Sequence, residues 1–168
     1  SVNASTGVLT RINQQSTGGP GPCHLMVDST DSLVIVTNYG GGSVAALPIN
    51  DDGSLAELSE FIQHEGSSVN ENRQEHAHAH SVNIDDSNSH AYVCDLGMDK
   101  VLTYDIDVEN AKLSPSSPAS VDEVAGEGPR HFTFHPNGKY VYVNNELGNT
   151  ITVYDLASNG AIAPKQTV

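Results

Sequence analysis

The sequence predicts an all-β protein, a β-propeller built from four-stranded antiparallel blades, and three observations carry that prediction. The first is internal repetition. GPCHLMVDSTDSLVIVTNYG from Gly21, HAHSVNIDDSNSHAYVCDLG from His78 and GPRHFTFHPNGKYVYVNNEL from Gly128 align without internal gaps, their starts 57 and 50 residues apart. The second is the period inside each unit, where short β-branched or aromatic runs alternate with turn residues, as strands do. The third is the near absence of helix signals. Four short strands in about 50 residues are the make-up of a propeller blade.

The elements follow in order. Thr6-Gly7-Val8-Leu9-Thr10 resembles the start of a blade's fourth strand, and Gly18 to Pro22 leads into the first unit. The clearest strand runs are Leu33-Val34-Ile35-Val36, Ala91-Tyr92-Val93 and Tyr140-Val141-Tyr142-Val143. Each is preceded by a turn, at Ser29-Thr30-Asp31, Ser87-Asn88 and Pro136-Asn137-Gly138-Lys139. A further run follows each: Ser43 to Ile49, Lys100 to Ile106 and Thr150 to Leu156, the last two sharing V-L-T-Y-D and I-T-V-Y-D with Asp105 and Asp155 as strand ends. Fourth strands are expected at Gly53-Ser54-Leu55, Ala111-Lys112-Leu113 and Gly160-Ala161-Ile162. The extra length of the first unit falls in the polar stretch Glu65 to Glu75, which reads as a long loop. Residues 1–168 thus form one partial propeller domain of about three blades, with units starting near 21, 78 and 128. Closed propellers have about four to eight blades. The sequence therefore reads as part of a larger ring, or as a chain that covers its open blade edges by self-association.

Composition narrows the function. With 21 acidic and 7 basic residues among 168, the net charge is −14, and no ten-residue stretch carries more than two cations. Binding a nucleic-acid backbone needs a basic stripe to displace counterions, and an anionic membrane surface makes the same demand, so neither partner is expected. No apolar run approaches the roughly 18 residues of a spanning helix. The chain reads as soluble and globular. Residue 1 is Ser and no charged-then-apolar leader follows it, which favours a cytoplasmic home. Cys23 and Cys94 occupy non-equivalent places in the repeat and read as two buried, reduced thiols.

Hairpin pairing places the chemistry. If each unit's first two strands pair about the turns above, Arg130 faces Asn145, His80 faces Asp95 and Cys23 faces Asn38, all at one rim. When the first strand lines the channel, that rim is the mouth of a central pocket. His80, Arg130 and Glu146 then converge as a base, a cation and a carboxylate from separate elements. Arginine is scarce, the others being Arg11 and Arg73, and a guanidinium at such a place in an acidic chain suits a carboxylate or phosphate. A structural ion pair between Arg130 and Glu146 is the alternative. His76, His78 and His80 would share one face if HAHAH is extended, which raises a metal site, although the alanines between them suit tight packing equally well. His24 and His131 alternate away from the rim and, with His135, read as structural histidines. His64 and His90 read as exposed.

GPRHFTFHPNGKYVYVNNEL, together with RQEHAHAHSV, GPCH and TNYGGGSV, closely resembles the lactonase-type seven-bladed β-propeller family, whose members include bacterial 6-phosphogluconolactonases and fungal 3-carboxy-cis,cis-muconate cyclases. The resemblance covers nearly the whole chain. It implies about three blades of a seven-bladed ring, a first strand that lines the channel, and a metal-free pocket without cofactor. The family's functional His, Arg and Glu map onto His80, Arg130 and Glu146 as catalytic residues, with Arg73, His78 and Asn145 expected to bind substrate. A second functional arginine of the family pattern falls beyond Val168. The implied activity is hydrolysis of a small anionic sugar lactone of the pentose phosphate pathway, with the site incomplete in this chain. Ring closure of a carboxylated lactone, or a non-catalytic binding propeller, are the alternatives.

Overall fold

The computed structural model describes residues 1–168. It contains twelve β-strands and no helix. The first sheet holds β1 (Pro22–Val27), β2 (Leu33–Asn38), β3 (Ser43–Pro48) and β4 (Glu60–Gln63). The second holds β5 (Ala79–Ile84), β6 (His90–Asp95), β7 (Lys100–Asp107) and β8 (Lys112–Asp122), and the third β9 (Pro129–Phe134), β10 (Tyr140–Asn145), β11 (Thr150–Leu156) and β12 (Ile162–Thr167). In every sheet the strands lie in chain order and pair antiparallel, so each repeat unit is one blade. The β1–β2, β5–β6 and β9–β10 turns each place one residue in the left-handed region, at Asp31, Asn88 and Gly138 (φ 58°, 60° and 68°). Asp and Asn tolerate that conformation through local hydrogen bonding, and Gly through having no Cβ.

Because successive side chains on a strand point to opposite faces, a strand packed on both sides must be apolar on both. β2 is such a strand. Leu33 and Ile35 join Val82, Ile84, Ala91 and Val93 in the core between the first two blades, while Val34 and Val36 pack with Ala45 and Leu47 on the other face. β6 repeats the arrangement, sending Tyr92 and Cys94 to Phe132, Val141 and Val143 of the third blade. Each fully buried aliphatic side chain of this kind contributes about 1.5–3 kcal/mol.

The tyrosines of the V-L-T-Y-D and I-T-V-Y-D patterns clasp neighbouring blades. Tyr104 donates its hydroxyl to His64 Nε2 (2.9 Å), and His64 Nδ1 is held by Asp95 (2.6 Å). Tyr154 donates to Glu123, which also accepts from Thr152 (3.0 Å). His64 and Glu123 each follow the outermost strand of the preceding blade. Burial raises the Glu123 carboxyl pKa above its ordinary 4.5, and the hydroxyl donors offset only part of that rise. A carboxyl with a raised folded pKa favours the native state fully below its unfolded pKa and loses that contribution as pH rises through the folded value. Urea denaturation at pH 4 and pH 8 is therefore expected to show Glu123→Gln gaining stability relative to wild type as pH rises; a pH-independent difference would contradict this.

Several expectations need correction. Thr6–Thr10 is no strand: residues 1–21 hold only the bridge between Val2 and Leu9. Instead Asn13 bonds the backbone of Leu55 and Thr17 bonds Asn38, laying the segment along the first blade. In that blade Gly53-Ser54-Leu55 belongs to a tight turn closed from Asn50 to Ser54, and the fourth strand starts only at Glu60. His64 is buried by the Asp95 and Tyr104 contacts, and His90 is half-buried with Nδ1 2.8 Å from Asp85. Cys94 is buried, its thiol pushed up to about 12 by desolvation, but Cys23 is exposed. The loop expectation for Glu65 to Glu75 holds, since no strand lies between Gln63 and Ala79.

Candidate active site

Three equivalent β-bulges build the site. β1, β5 and β9 pair in the predicted register up to their last step, His24 with Thr37, Ser81 with Cys94 and His131 with Asn144. There each skips one residue, so that Pro22, Ala79 and Pro129 face Asn38, Asp95 and Asn145. Cys23, His80 and Arg130, expected to face those residues, are instead the unpaired extra residues of the bulges. The ladder still closes beyond them, because the N–H groups of Tyr39, Leu96 and Glu146 donate to the carbonyls of Gly21, His78 and Gly128. A bulge bends its strand and re-aims the extra side chain without interrupting the rest of the ladder. Neighbouring bulges also touch: Cys23 Sγ lies 3.1 Å and Thr37 Oγ1 3.1 Å from the carbonyl oxygen of His80.

Glu146 anchors the polar cluster. Its Oε2 accepts from Arg130 Nε (2.7 Å) and its Oε1 from Arg73 Nη2 (2.6 Å), which is also 3.2 Å from the Tyr39 hydroxyl. The long loop thus carries Arg73 from between the first two blades to a carboxylate on the third. Burial pushes the Glu146 carboxyl up, but the bonds and charges of both arginines outweigh it and hold the pKa below 4.5. Arg130 Nη1 sits 2.7 Å from His131 Nε2. The hydrogen-bond pattern leaves Arg130 Nη2 and Arg73 Nε and Nη1 without protein partners.

The histidines beside this cluster are held toward the neutral form. Desolvation first, then the Arg130 charge, lowers the pKa of His80 to about 4. The same two causes lower His131, and desolvation lowers His24. The His80 ring lies 4.9 Å from that of His131 and 5.5 Å edge-on to Tyr39, with its Nδ1 buried and unpartnered. An open cleft of about 490 Å³, the largest in the molecule, is lined by His80, Arg130, Glu146, Arg73, Tyr39 and Cys23 together with Gly21, Pro22 and Gly40.

Of the residues expected at the site, His80, Arg130, Glu146 and Arg73 therefore meet at one cleft. Asn145 and His78 do not line it. Asn145 spends its amide on Thr150 and Thr152 inside the third blade, and His78 stacks behind Tyr39 at 4.5 Å. His131, expected to point away, belongs to the cluster because the bulge at Arg130 undoes the strand alternation. Tyr39 was not singled out by sequence, although it holds the repeat position of Glu146, one step past Asn38 and Asn145. His76, His78 and His80 do not share an extended face: β5 begins only at Ala79, and His80 turns into the cleft while the other two stay in the loop.

Residues 1–168 match the profile of the family described as "Lactonase, 7-bladed beta-propeller". The chain is 37% identical over 150 residues to a 6-phosphogluconolactonase of Bacillus subtilis, covering 89% of this chain and 42% of that protein. It is 32% identical over 156 residues to a 6-phosphogluconolactonase of Formosa agariphila, covering 92% and 44%. The solved structure of the Pseudomonas aeruginosa periplasmic gluconolactonase matches with a TM-score of 0.91 at 34% identity, over 96% of this chain and 46% of that one. The chain spans less than half the length of these relatives.

Proposed function

The chain belongs to the seven-bladed β-propeller lactonase family, and on that premise we propose that the full-length protein hydrolyses a sugar lactone, with a phosphorylated aldonolactone as first candidate. The observation that carries this reading is the pair Arg73 and Arg130, which share one carboxylate and keep N–H donors free beside a neutral imidazole in an open cleft. Two cations against one anion leave an excess positive charge that suits an anionic substrate.

Residue roles follow from the bonding. Both Glu146 oxygens are engaged by the arginines, so it orients them and has no free oxygen to serve as the base. With its Nδ1 buried, neutral His80 takes the proton from an attacking water through Nε2, the nitrogen left open to the cleft. The water oxygen bonds to the lactone carbonyl carbon, charge develops on the carbonyl oxygen, and a free Arg130 N–H stabilises it. As the ring C–O bond breaks, the proton held by His80 passes to the departing ring oxygen. Arg73 is left to hold the substrate anion.

A phosphorylated substrate would place the protein in the pentose phosphate pathway and the cytoplasm, whereas the Pseudomonas relative carries a periplasmic name. One assay addresses the substrate. 6-Phosphogluconolactone generated in situ and glucono-δ-lactone are offered separately to the full-length protein, and ring opening is followed above the spontaneous rate. Faster opening of the phosphorylated lactone is expected; no acceleration with either sinks the proposal.

A further inference from the structure

Outside the cleft, the loop that delivers Arg73 gathers three ligand-type atoms. Glu75 Oε1 lies 3.5 Å from His76 Nε2 and 3.5 Å from His78 Nε2, and all three atoms fall within 4.8 Å of one another. Ligands about 2.1 Å from a tetrahedral Zn²⁺ stand about 3.4 Å apart, so the two spacings from Glu75 already match metal geometry, and the third needs at most a small closure of the rings. The rings are also set in the ligating tautomer. His78 Nδ1 is 3.0 Å from the Tyr39 carbonyl oxygen and His76 Nδ1 is 2.8 Å from that of Ala77. A carbonyl can only accept, so in the neutral ring each Nδ1 carries the proton and each Nε2 turns a lone pair toward Glu75. Backbone carbonyls holding the far nitrogen are the usual support of a metal-bound histidine. Without a cation, or a proton on one ring, three lone-pair atoms would face one another with nothing between them.

The backbone that presents these groups is clamped from both sides. A Cβ on Gly42 would meet the Ala77 carbonyl oxygen at 2.2 Å, and one on Gly97 would meet that of His76 at 1.9 Å. Only glycine allows the β2–β3 turn and the β6–β7 turn to close on the loop so tightly. The His78 N–H donates to Asp95 (2.7 Å), and the buried Gln74 amide donates to the Leu96 carbonyl (2.9 Å). The Glu75 and His76 side chains stay about half exposed, at 48% and 51%, which leaves an entry path and an open coordination position.

We propose that Glu75, His76 and His78 form a two-histidine, one-carboxylate site for a divalent transition metal, Zn²⁺ first, which fixes the Arg73 loop at the seam of the first two blades. The donor set of imidazole nitrogen and carboxylate oxygen suits Zn²⁺ over Mg²⁺ or Ca²⁺. The site stands behind Tyr39, whose ring stacks on His78 and whose hydroxyl meets Arg73, so the metal would act on the cleft through loop position.

The test is calorimetric titration of the chelator-stripped full-length protein with ZnCl2, beside His76→Ala and Glu75→Gln. Both side chains are half exposed, and far-UV circular dichroism confirms that each variant stays folded. One equivalent should bind, and each variant should weaken binding at least about tenfold. Co²⁺ should give intense visible d–d bands in the wild type that both variants lose. Absence of stoichiometric binding overturns the proposal. So does binding that neither variant weakens, which would assign the metal to carboxylates elsewhere on an acidic surface.

Discussion

In the full-length protein, His80→Ala is expected to lower lactonase kcat/KM by roughly 10²–10⁴, the range typical of a lost general base. The pH profile is the sharper reading. With its pKa lowered to about 4, His80 is in the base form throughout the neutral range, so kcat/KM should be level from about pH 6 upward and fall as pH drops through about 4. Glu146 is also held below 4.5 and could impose a similar limb. The variant separates the two: loss of the acid limb together with the rate assigns it to His80. A limb that survives in His80→Ala moves the base to Glu146, and a variant as fast as wild type removes His80 from the chemistry.

Arg130→Lys is expected to cost about 10² or more in kcat/KM, comparable to losing one oxyanion donor. The guanidinium spans Glu146 through Nε and His131 through Nη1 while a third nitrogen stays free, and an ammonium cannot hold that fork. Stability should barely move. The side chains of Arg130, Arg73 and Glu146 are 38%, 42% and 30% exposed, and partly exposed ion pairs contribute about 0–1 kcal/mol. Thermal unfolding measured beside the kinetics decides the alternative. A melting point that falls while turnover stays intact would make the cluster a junction between blades.

Much of the fold was legible because each blade repeats one spacing of strand and turn, and that spacing fixed the hairpin register up to the final residue of each inner strand. The last step was invisible: skipping Cys23, His80 or Arg130 leaves the apolar pattern on either side unchanged. The same skip explains why His131 was misplaced, since strict alternation assigns it the face opposite Arg130. His80, Arg130 and Glu146 were readable as repeat positions at one rim. His64 was not, because its burial comes from Tyr104, 40 residues further on, and the polar residues around it read as surface. The exposed Cys23 was misread for a related reason, its bulge turning it out of the ladder.

The bulges separate what the blades need in order to fold from what the pocket needs in order to react. The residue skipped in each blade satisfies no ladder partner of its own and fills no core, so the hairpin closes identically around a thiol, an imidazole or a guanidinium. Each blade thereby carries one interchangeable socket at the ring's mouth. For an engineer, randomising positions 23, 80 and 130 together would sample new pocket chemistries on an unaltered scaffold, and selection on such a ring could exchange one substrate for another without first having to repair its fold.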